Sequence, residues 1–410
     1  MSPRIDRLES KVKSKEFKLK ALLDVTQAIN NNFEISQLLE LYEQVLKTDL
    51  GIEKLALYEK QGKAWKSILQ FGIDLELIDL SDTDFSGIKN TPTLKISTSN
   101  LKESFDIGIP IYHQEQPIAH LLVGDLGEES IGVSPVIKHM SFIQTITNII
   151  LVAIRNRKFA EENIIQERVR KELELAAEMQ AILVPSELPK NNVFEVAAVY
   201  MPHQQVGGDY YDFMHLNEDE FMFCMADVSG KGVSAAFLMS NFQAYLRAIF
   251  TYLKIPLQDV IRELNTRVMR SAMGEKYITF FIGTYNTKTR DLNYINCGHN
   301  PPVFALPSGQ TSLLGLGSVG LGMFDEIPNI MQGYIKVPEG ACIVCYTDGL
   351  VELENENLEE YGVERLQRLI IEHLNDDMDL LNSFIMADVN RFKGSMPYID
   401  DTALLSCRFF

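Results

Sequence analysis

The chain has 410 residues, 46% of them hydrophobic, and a formal net charge of −18. That length and composition predict two or three domains with full hydrophobic cores. The negative charge argues against nucleic acid and against an anionic membrane surface, because both carry phosphates that would be repelled.

Other features favour a soluble cytoplasmic protein. The first twenty residues lack the apolar core of a signal peptide, and the longest apolar run, residues 149–154, is far too short for a membrane span. The five cysteines are scattered and odd in number, as is typical of a reducing compartment. Cys342 and Cys345 lie in a strand-like run, where residues three apart point to opposite faces, so we expect core residues rather than a metal or redox pair.

Helical periodicity covers residues 17–50, with a break at 30–32. Residues 53–71 alternate like two strands around the turn KQGK, and residues 105–126 form a second predicted hairpin around HQEQP. A final helix follows. By this pattern, residues 17–155 resemble a GAF domain, and we expect a GAF-like α/β sensor domain over residues 1–157. All cysteines lie at 224 or later, which argues against a covalently attached chromophore. A GAF-like domain is a candidate site for a small-molecule ligand.

Residues 135–184 contain no glycine and predict one helix of about 75 Å. Its second part has a narrow apolar stripe between charged flanks: Ile165, Val169, Leu173, Ala176, Gln180 and Leu183. A narrow stripe favours a two-helix coiled seam, so we predict a linker over residues 158–188 that joins a homodimer. A solvated interdomain rod is the alternative.

From residue 189 onward strands dominate, with helical stretches at 233–253, 256–272 and 362–392. This order predicts a layered α/β domain with largely antiparallel sheets. The stretch QQVGGDYYDF, residues 204–213, brings two glycines and two carboxylates together. Either the turn needs small residues, or a site needs a bare carboxylate.

Aspartates recur where strands meet turns. Asp209 follows the two glycines, Asp227 ends an apolar strand, Asp348 ends another, and Asp400 and Asp401 precede the last strand. Carboxylates brought together repel one another unless a cation neutralises them. Mg²⁺ and Mn²⁺ prefer such oxygen ligands, and a binuclear site can activate water and hold a phosphoryl oxygen. The residues thus indicate metal-dependent phosphoester chemistry, unless the aspartates never meet.

Five motifs carry a family resemblance: VGGDYYDF, ADVSGKGVSAAFLM, CGHNPP, YTDGLVE followed by YGVERL, and DDTALL. In this order over residues 189–410 they resemble the SpoIIE/RsbU-type PPM serine/threonine phosphatases. The resemblance implies an αββα sandwich with two Mn²⁺ or Mg²⁺ ions between its sheets. The expected fold class is therefore α+β and multidomain: a GAF-like sensor, a long linker helix and a PPM phosphatase domain.

Matched position by position, the resemblance implies that Asp209, Asp227, Asp348, Asp400 and the Val228 carbonyl bind the metals. It implies no protein nucleophile, since a metal-bound hydroxide attacks the phosphorus. Residues expected near the metals or the substrate are Gly208, Asp212, Lys231, His299, Asn300, Gly349 and Asp401. For Asp212 and Asp401 a supporting role is favoured, for His299 a turn role, and Lys231 contacts either phosphate or solvent. No phosphate-binding arginine motif is recognisable.

The resemblance implies a signal-regulated phosphatase whose substrate is phosphoserine on a STAS-type anti-sigma factor antagonist in a partner-switching pathway. Two alternatives stay open. One is a catalytically silent scaffold that binds a STAS partner, which the intact aspartates oppose. The other is a metal-dependent hydrolase of small phosphoesters or cyclic nucleotides, for which no base-binding motif is recognisable.

Overall fold

The computed structural model describes residues 3–62, 64–73, 85, 105, 107–113, 116–124, 135–203 and 206–410. The chain divides into two compact units, residues 1–167 and 168–410. In the described ranges, no helix combines the length and the apolar character needed to cross a membrane.

The first unit combines helices with one antiparallel sheet. Helices α1 (Pro3–Asn30) and α2 (Ile35–Gln44) are followed by a short π-helical turn, Val45–Asp49. The strands are β1 (Lys54–Gln61), β2 (Ala64–Phe71), β3 (Ile107–His113) and β4 (Gln116–Gly124), in the order β2-β1-β4-β3. Both predicted hairpins are present, since β1 pairs with β2 and β3 with β4. The break between α1 and α2 lies where residues 30–32 predict it.

Alternation along the strands decides which side of this sheet faces the helices. Leu55 and Leu57 of β1 share a buried core with Ile146 and Ile150 of α3 (Pro135–Ala181). Tyr58 lies on the opposite face of β1 and belongs to a separate buried cluster with Trp65, Phe85 and Phe105. Helix α3 begins where the glycine-free run begins and ends before Pro185, whose ring cannot continue a helix.

The second unit contains two facing sheets. One has the strand order β11-β10-β14-β15-β5, and the other β12-β9-β8-β7-β6, with β13 pairing to β9. The bounds are β5 (Phe194–Met201), β6 (Tyr210–His215), β7 (Glu220–Val228), β8 (Ile278–Asn286), β9 (Asp291–Cys297), β10 (Val303–Ala305), β11 (Thr311–Leu313), β12 (Gly317–Ser318), β13 (Gly333–Lys336), β14 (Ala341–Tyr346) and β15 (Thr402–Phe409). Among these pairings only β12 with β9 is parallel.

Helices cover the outer face of each sheet. These are α4 (Val233–Tyr252), α5 (Leu257–Ala272), α6 (Asp348–Val351), α7 (Val363–Glu372) and α8 (Met378–Lys393). One core lies between α4, α5 and the β6–β9 strands, a second between the two sheets, and a third between α7, α8 and the β14–β15 strands. The layers are therefore helix, sheet, sheet, helix, as the resemblance implies.

Two details concern the sequence predictions. Cys345 points into the core between the sheets and Cys342 into the core under α7 and α8, so the pair is structural. The predicted helical stretch 362–392 is in fact two helices, with a break at residues 373–377. The second begins because the Asp377 carboxylate caps it, accepting a hydrogen bond from the Leu380 N–H at 2.8 Å.

Candidate metal centre

The turn before β6 carries Asp209 and approaches its neighbours closely. A Cβ atom on Gly207 would lie 2.1 Å from the Tyr200 hydroxyl oxygen and 2.5 Å from Asp401 Oδ2. A Cβ on Gly208 would lie 3.0 Å from the Val228 carbonyl oxygen. The two glycines are therefore needed because other groups occupy the space that a side chain would take, which answers half of the question raised by this stretch.

Asp401 holds this turn in place. Its Oδ2 accepts a hydrogen bond from the Gly208 N–H at 2.6 Å, and its Oδ1 accepts one from the His203 N–H at 2.7 Å. Each carboxylate oxygen of Asp401 thus accepts a hydrogen bond from a backbone N–H. Its observed role is to fix the segment that leads to Asp209, in line with the supporting role predicted for it.

The other aspartates come from strand ends of both sheets. Asp227 is the second-last residue of β7, Asp348 follows β14 and opens α6, and Asp400 lies just before β15. Because β14 and β15 are neighbouring strands, Asp348 and Asp400 lie close to each other at the same end of the sheet. The backbone packs tightly here, since a Cβ at Gly349 would lie 2.0 Å from the Asp401 carbonyl oxygen. The Asp401 N–H donates to Asp400 Oδ1 at 2.9 Å.

These carboxylates lie within electrostatic range of one another. Burial, followed by the charges of Asp348 and Asp400, raises the pKa of Asp227 to about 7. Burial and then the charge of Asp227 raise the pKa of Asp209 well above its usual range, although the Thr347 hydroxyl opposes this. Burial and then Asp400 raise the pKa of Asp348. The aspartates therefore lie in one neighbourhood, which favours the interpretation that they act together over the alternative in which they stay apart.

Such a set fits a hard divalent cation. Asp209 is almost fully buried, and its Oδ2 has no hydrogen-bond partner among the described residues. A buried carboxylate oxygen without a partner is costly unless a cation binds it. All candidate donors are carboxylate or carbonyl oxygens, the ligands that Mg²⁺ and Mn²⁺ prefer. Asp209, Asp227, Asp348, Asp400 and the Val228 carbonyl could supply them.

Lys231 also lies at this site. Its Nζ is 2.8 Å from Asp400 Oδ2, and it donates a second, short hydrogen bond to the Ile399 carbonyl oxygen. Its positive charge partly opposes the burial and the Asp400 charge that raise the pKa of Asp348. Lys231 is thus paired with a carboxylate of the site while its side chain stays 42% exposed to solvent.

Asp212 lies elsewhere, although it is only three residues from Asp209. Its fully buried carboxylate accepts two hydrogen bonds from Arg247 of α4, from Nε and from Nη2, each at 2.8 Å. Tyr210 donates a further, short hydrogen bond to Asp212 Oδ2. This network lies on the face of β6 that is covered by helices, so Asp212 is a structural residue.

His299 is buried and fixed in its turn. Its Nδ1 is 2.9 Å from the Thr279 hydroxyl, and its backbone N–H donates to Asn296 Oδ1 at 2.8 Å. Burial lowers the pKa of His299 to about 4, so the imidazole is neutral near pH 7. Within the described residues, the Asn300 side chain makes no hydrogen bond to the aspartates. These observations favour the predicted turn role for His299 over that of a proton donor.

Three residues at the site were missed in the sequence. Gln180 of α3 forms two hydrogen bonds with the Gly207 backbone. Thr347 accepts a hydrogen bond from the Ala403 N–H at 2.9 Å and contacts Asp209. The Tyr200 hydroxyl lies near the aspartates, whose charges, after burial, raise its pKa. Only Thr347 had a signal, because it directly precedes Asp348 in the motif YTDG.

A second carboxylate cluster lies apart from this site. Oxygens of Glu195, Asp377 and Asp379 come within 4.8 Å of one another. Lys190 Nζ lies 2.7 Å from Glu195 Oε1 and 3.9 and 3.7 Å from Asp377 and Asp379. The lysine supplies the neutralising charge there, so this cluster does not indicate a metal site.

Comparisons with known proteins agree with this architecture. The sequence model of the family described as "Stage II sporulation protein E (SpoIIE)" matches residues 217–410. Phosphoserine phosphatase RsbU of Bacillus subtilis is 30% identical over 214 residues, which are 51% of this chain and 62% of that protein. Protein IcfG of Synechocystis is 25% identical over 262 residues, 57% of this chain and 41% of IcfG. The chain thus spans about half the length of the curated relatives it matches.

Among solved structures, the SiaA-PP2C domain of Pseudomonas aeruginosa is similar with a TM-score of 0.53 and 19% identity. The match covers 60% of this chain and 99% of that domain, and it shows the fold. Together with the family match, it shows that residues 217–410 are similar to the SpoIIE family and that this part of the chain has the PP2C-like fold.

Proposed function

We propose that the chain is a metal-dependent protein serine/threonine phosphatase that hydrolyses phosphoserine. The observation that carries the proposal is the buried Asp209 Oδ2, which lacks a hydrogen-bond partner in the described part of the chain although the charges of Asp227, Asp348 and Asp400 lie nearby. The name of the RsbU relative supports phosphoserine as the substrate.

The proposed ligands are the four aspartates and the Val228 carbonyl, and two bound Mn²⁺ or Mg²⁺ ions would supply an activated water and stabilise charge on the phosphoryl oxygens. The protein's own contribution is positioning. Asp401 fixes the turn of Asp209 through the Gly208 N–H, and Thr347 orients the Asp209 carboxylate. Lys231, beside Asp400, is placed to attract the anionic substrate. We assign no side chain as nucleophile.

For the rest of the chain we propose a sensor and a dimer. The sensor is a GAF-like domain over residues 1–157, the linker covers 158–188 and the phosphatase domain covers 189–410. Exposed apolar side chains on α3, among them Ile164, Ile165 and Val169, support a seam between two copies. Gln180 and Leu183 do not belong to it, because both are engaged within the second unit. Ile165→Glu with Val169→Glu should convert a dimer to a monomer in light scattering, and Arg168→Glu should not.

The proposed protein substrate is a phosphoserine on a STAS-type antagonist, and a soluble cytoplasmic location fits this partner. The motif resemblance and the RsbU relative support the substrate. A silent scaffold and a small-phosphoester hydrolase are the alternatives. A phosphorylated STAS protein offered together with nucleotide substrates separates them, because a protein phosphatase turns over the former in preference and a scaffold turns over neither.

The proposed activity is tested by release of phosphate from an aryl phosphate in the presence of Mn²⁺. Asp227→Asn should lower turnover by about a hundredfold or more, because it removes a charged oxygen ligand. Asp259→Asn is the matched control, since Asp259 is an exposed aspartate that pairs with Arg262 on the surface of α5. Equal turnover of wild type and Asp227→Asn would refute the proposed centre.

A further inference from the structure

Large apolar side chains project into solvent beside the metal centre. Six of them are exposed by 41% to 85% and form what we name the apolar rim: Val233, Phe237, Met273, Tyr277, Met323 and Phe324. Scattered exposed apolar residues are ordinary on a protein surface, whereas a contiguous group marks an interaction site. Whether the six are contiguous is decided by the elements that carry them.

The helices bring the first four together. Helices α4 and α5 pack against each other in one core and are joined by only residues 253–256, so they run antiparallel. The start of α4, with Val233 and Phe237, therefore lies at the same end as the last turn of α5, which Met273 follows. Tyr277 comes four residues later, where the chain enters β8.

Backbone hydrogen bonds connect this end to the metal centre and to the remaining two residues. The Ser229 N–H donates to the Tyr277 carbonyl oxygen, and the Tyr277 N–H donates to Ser229 Oγ, each at 2.9 Å. Ser229 is two residues after Asp227. Ile278 and Leu321 exchange two hydrogen bonds of 2.8 Å, which places the segment of Met323 and Phe324 beside Tyr277. The rim is thus one surface that adjoins the site.

Two lysines lie between the rim and the aspartates. Lys231 contacts Asp400, and Lys276 Nζ donates to the Ser229 carbonyl oxygen at 2.9 Å. Glu275, Asp325 and Glu326, which are neighbours of rim residues in the chain, are exposed. The surface beside the metal centre therefore combines cationic, apolar and acidic side chains. A complementary partner carries an anionic group, apolar side chains and basic residues.

The side chains of the rim suit a protein surface. Methionine is flexible and polarisable and adapts to different partners, and aromatic side chains carry much of the energy of protein interfaces. The backbone beneath Tyr277 and Leu321 is held by sheet-like hydrogen bonds, so less ordering is needed on binding. A small phosphoester would reach the aspartates without touching most of these residues.

We infer that the apolar rim is the docking surface for the protein substrate: it binds the apolar face of a folded protein whose phosphoserine then reaches Asp209 and Asp227. This inference rests on the proposed phosphatase activity and names the way in which that site selects a protein over a small phosphoester. The apolar contacts supply affinity, and the exposed acidic residues Glu275, Asp325 and Glu326 favour a partner with basic residues beside its apolar face.

The test compares two substrates for the full chain with Mn²⁺: an aryl phosphate and a STAS-domain protein phosphorylated on serine. The rim variants are Met323→Ser with Phe324→Ser, and separately Phe237→Ser. We expect kcat/KM for the phosphoprotein, divided by that for the aryl phosphate, to fall by about tenfold in each, mainly through KM. Tyr252→Ser is the control, because Tyr252 is 82% exposed at the other end of α4, about 30 Å along the helix.

The outcomes separate the inference from the proposed function. If the wild type releases no phosphate from either substrate, the proposed function fails and the docking inference fails with it. If the wild type turns over both and neither rim variant changes the ratio, the rim does not dock the substrate, although the phosphatase activity stands. If the variants change the oligomeric state in light scattering and leave the ratio unaltered, the rim joins copies of the chain and the inference is overturned.

Discussion

The side-chain amide of Gln180 forms a reciprocal pair of hydrogen bonds with the backbone of Gly207. Its Nε2 donates to the Gly207 carbonyl oxygen at 2.6 Å, and its Oε1 accepts from the Gly207 N–H at 3.1 Å. Gln180 is the second-last residue of α3, and Gly207 lies two residues before Asp209. The end of this long helix is therefore bonded directly to the turn that carries a proposed metal ligand.

Replacing Gln180 should weaken metal binding. Gln180→Ala leaves both backbone groups of Gly207 without a partner in a buried place, at a cost of about 1–3 kcal/mol. The turn is then free to move, and the Mn²⁺ dissociation constant measured by calorimetry should rise by about tenfold. Gln180→Glu should be worse, because its carboxylate cannot donate to the carbonyl oxygen. Glu178→Ala, at an exposed position two residues earlier, should bind Mn²⁺ as the wild type does.

Replacing Asp212 should lower stability, whereas replacing Asp209 should lower metal affinity. Asp212→Ala removes the partner of Arg247 and Tyr210 from a buried network. The guanidinium is partly exposed and can be rehydrated, so the free energy of unfolding should fall by about 2–3 kcal/mol, less than for a fully buried pair. Denaturation and Mn²⁺ titration should show lower stability with near-normal metal affinity. Asp209→Asn should show the opposite, and a loss of metal affinity in Asp212→Ala would contradict the structural role.

The sequence predicted where the proposed metal ligands lie in the fold, because they lie at strand ends. Asp227 and Asp348 each follow an apolar run, and facing sheets bring such ends together. Asp212 was harder to place, since it shares a motif with Asp209. Its partner Arg247 lies 35 residues away on α4, and no local pattern links the two.

Helix periodicity likewise predicts that one face of a helix is buried, but it does not identify the segment that packs against that face. Gln180 fits the apolar stripe of α3 by spacing, yet a backbone segment of the second unit occupies that position rather than a second helix. The predicted helical stretch 362–392 contains Asp377, which caps the second of two helices. Helix propensity alone does not distinguish such a capping aspartate from one inside a helix. In each case tertiary contacts decided what the local pattern left open.

Metal binding should release protons below pH 7. Burial and the neighbouring carboxylates raise the pKa of Asp227 to about 7, so a proton competes with the metal ion there. As the pH falls below about 7, the logarithm of the Mn²⁺ association constant should fall by about one per pH unit, and above pH 8 it should be nearly constant. Calorimetry at pH 6 in two buffers of different ionisation enthalpy measures the protons released. No dependence on the buffer would contradict a shared proton among these aspartates.

Gly349 should tolerate no side chain, because it lies where β14, α6 and the start of β15 meet. The Cβ of an alanine there would lie 2.0 Å from the Asp401 carbonyl oxygen and 3.1 Å from Asp400 Cβ. Backbone atoms cannot yield as a flexible side chain does, so Asp348 and Asp400 must move apart. Gly349→Ala should therefore lower Mn²⁺-dependent turnover of an aryl phosphate by about tenfold or more.

The matched control is Gly315→Ala, since a Cβ at Gly315 has its nearest neighbour, a Pro301 side-chain atom, at 3.8 Å, an ordinary contact. That variant should keep its turnover and its melting temperature. If Gly349→Ala instead kept both the turnover and the metal affinity of the wild type, Asp348 and Asp400 would not bind the same ions. The second half of the proposed ligand set would then have to be sought among other oxygens near Asp227.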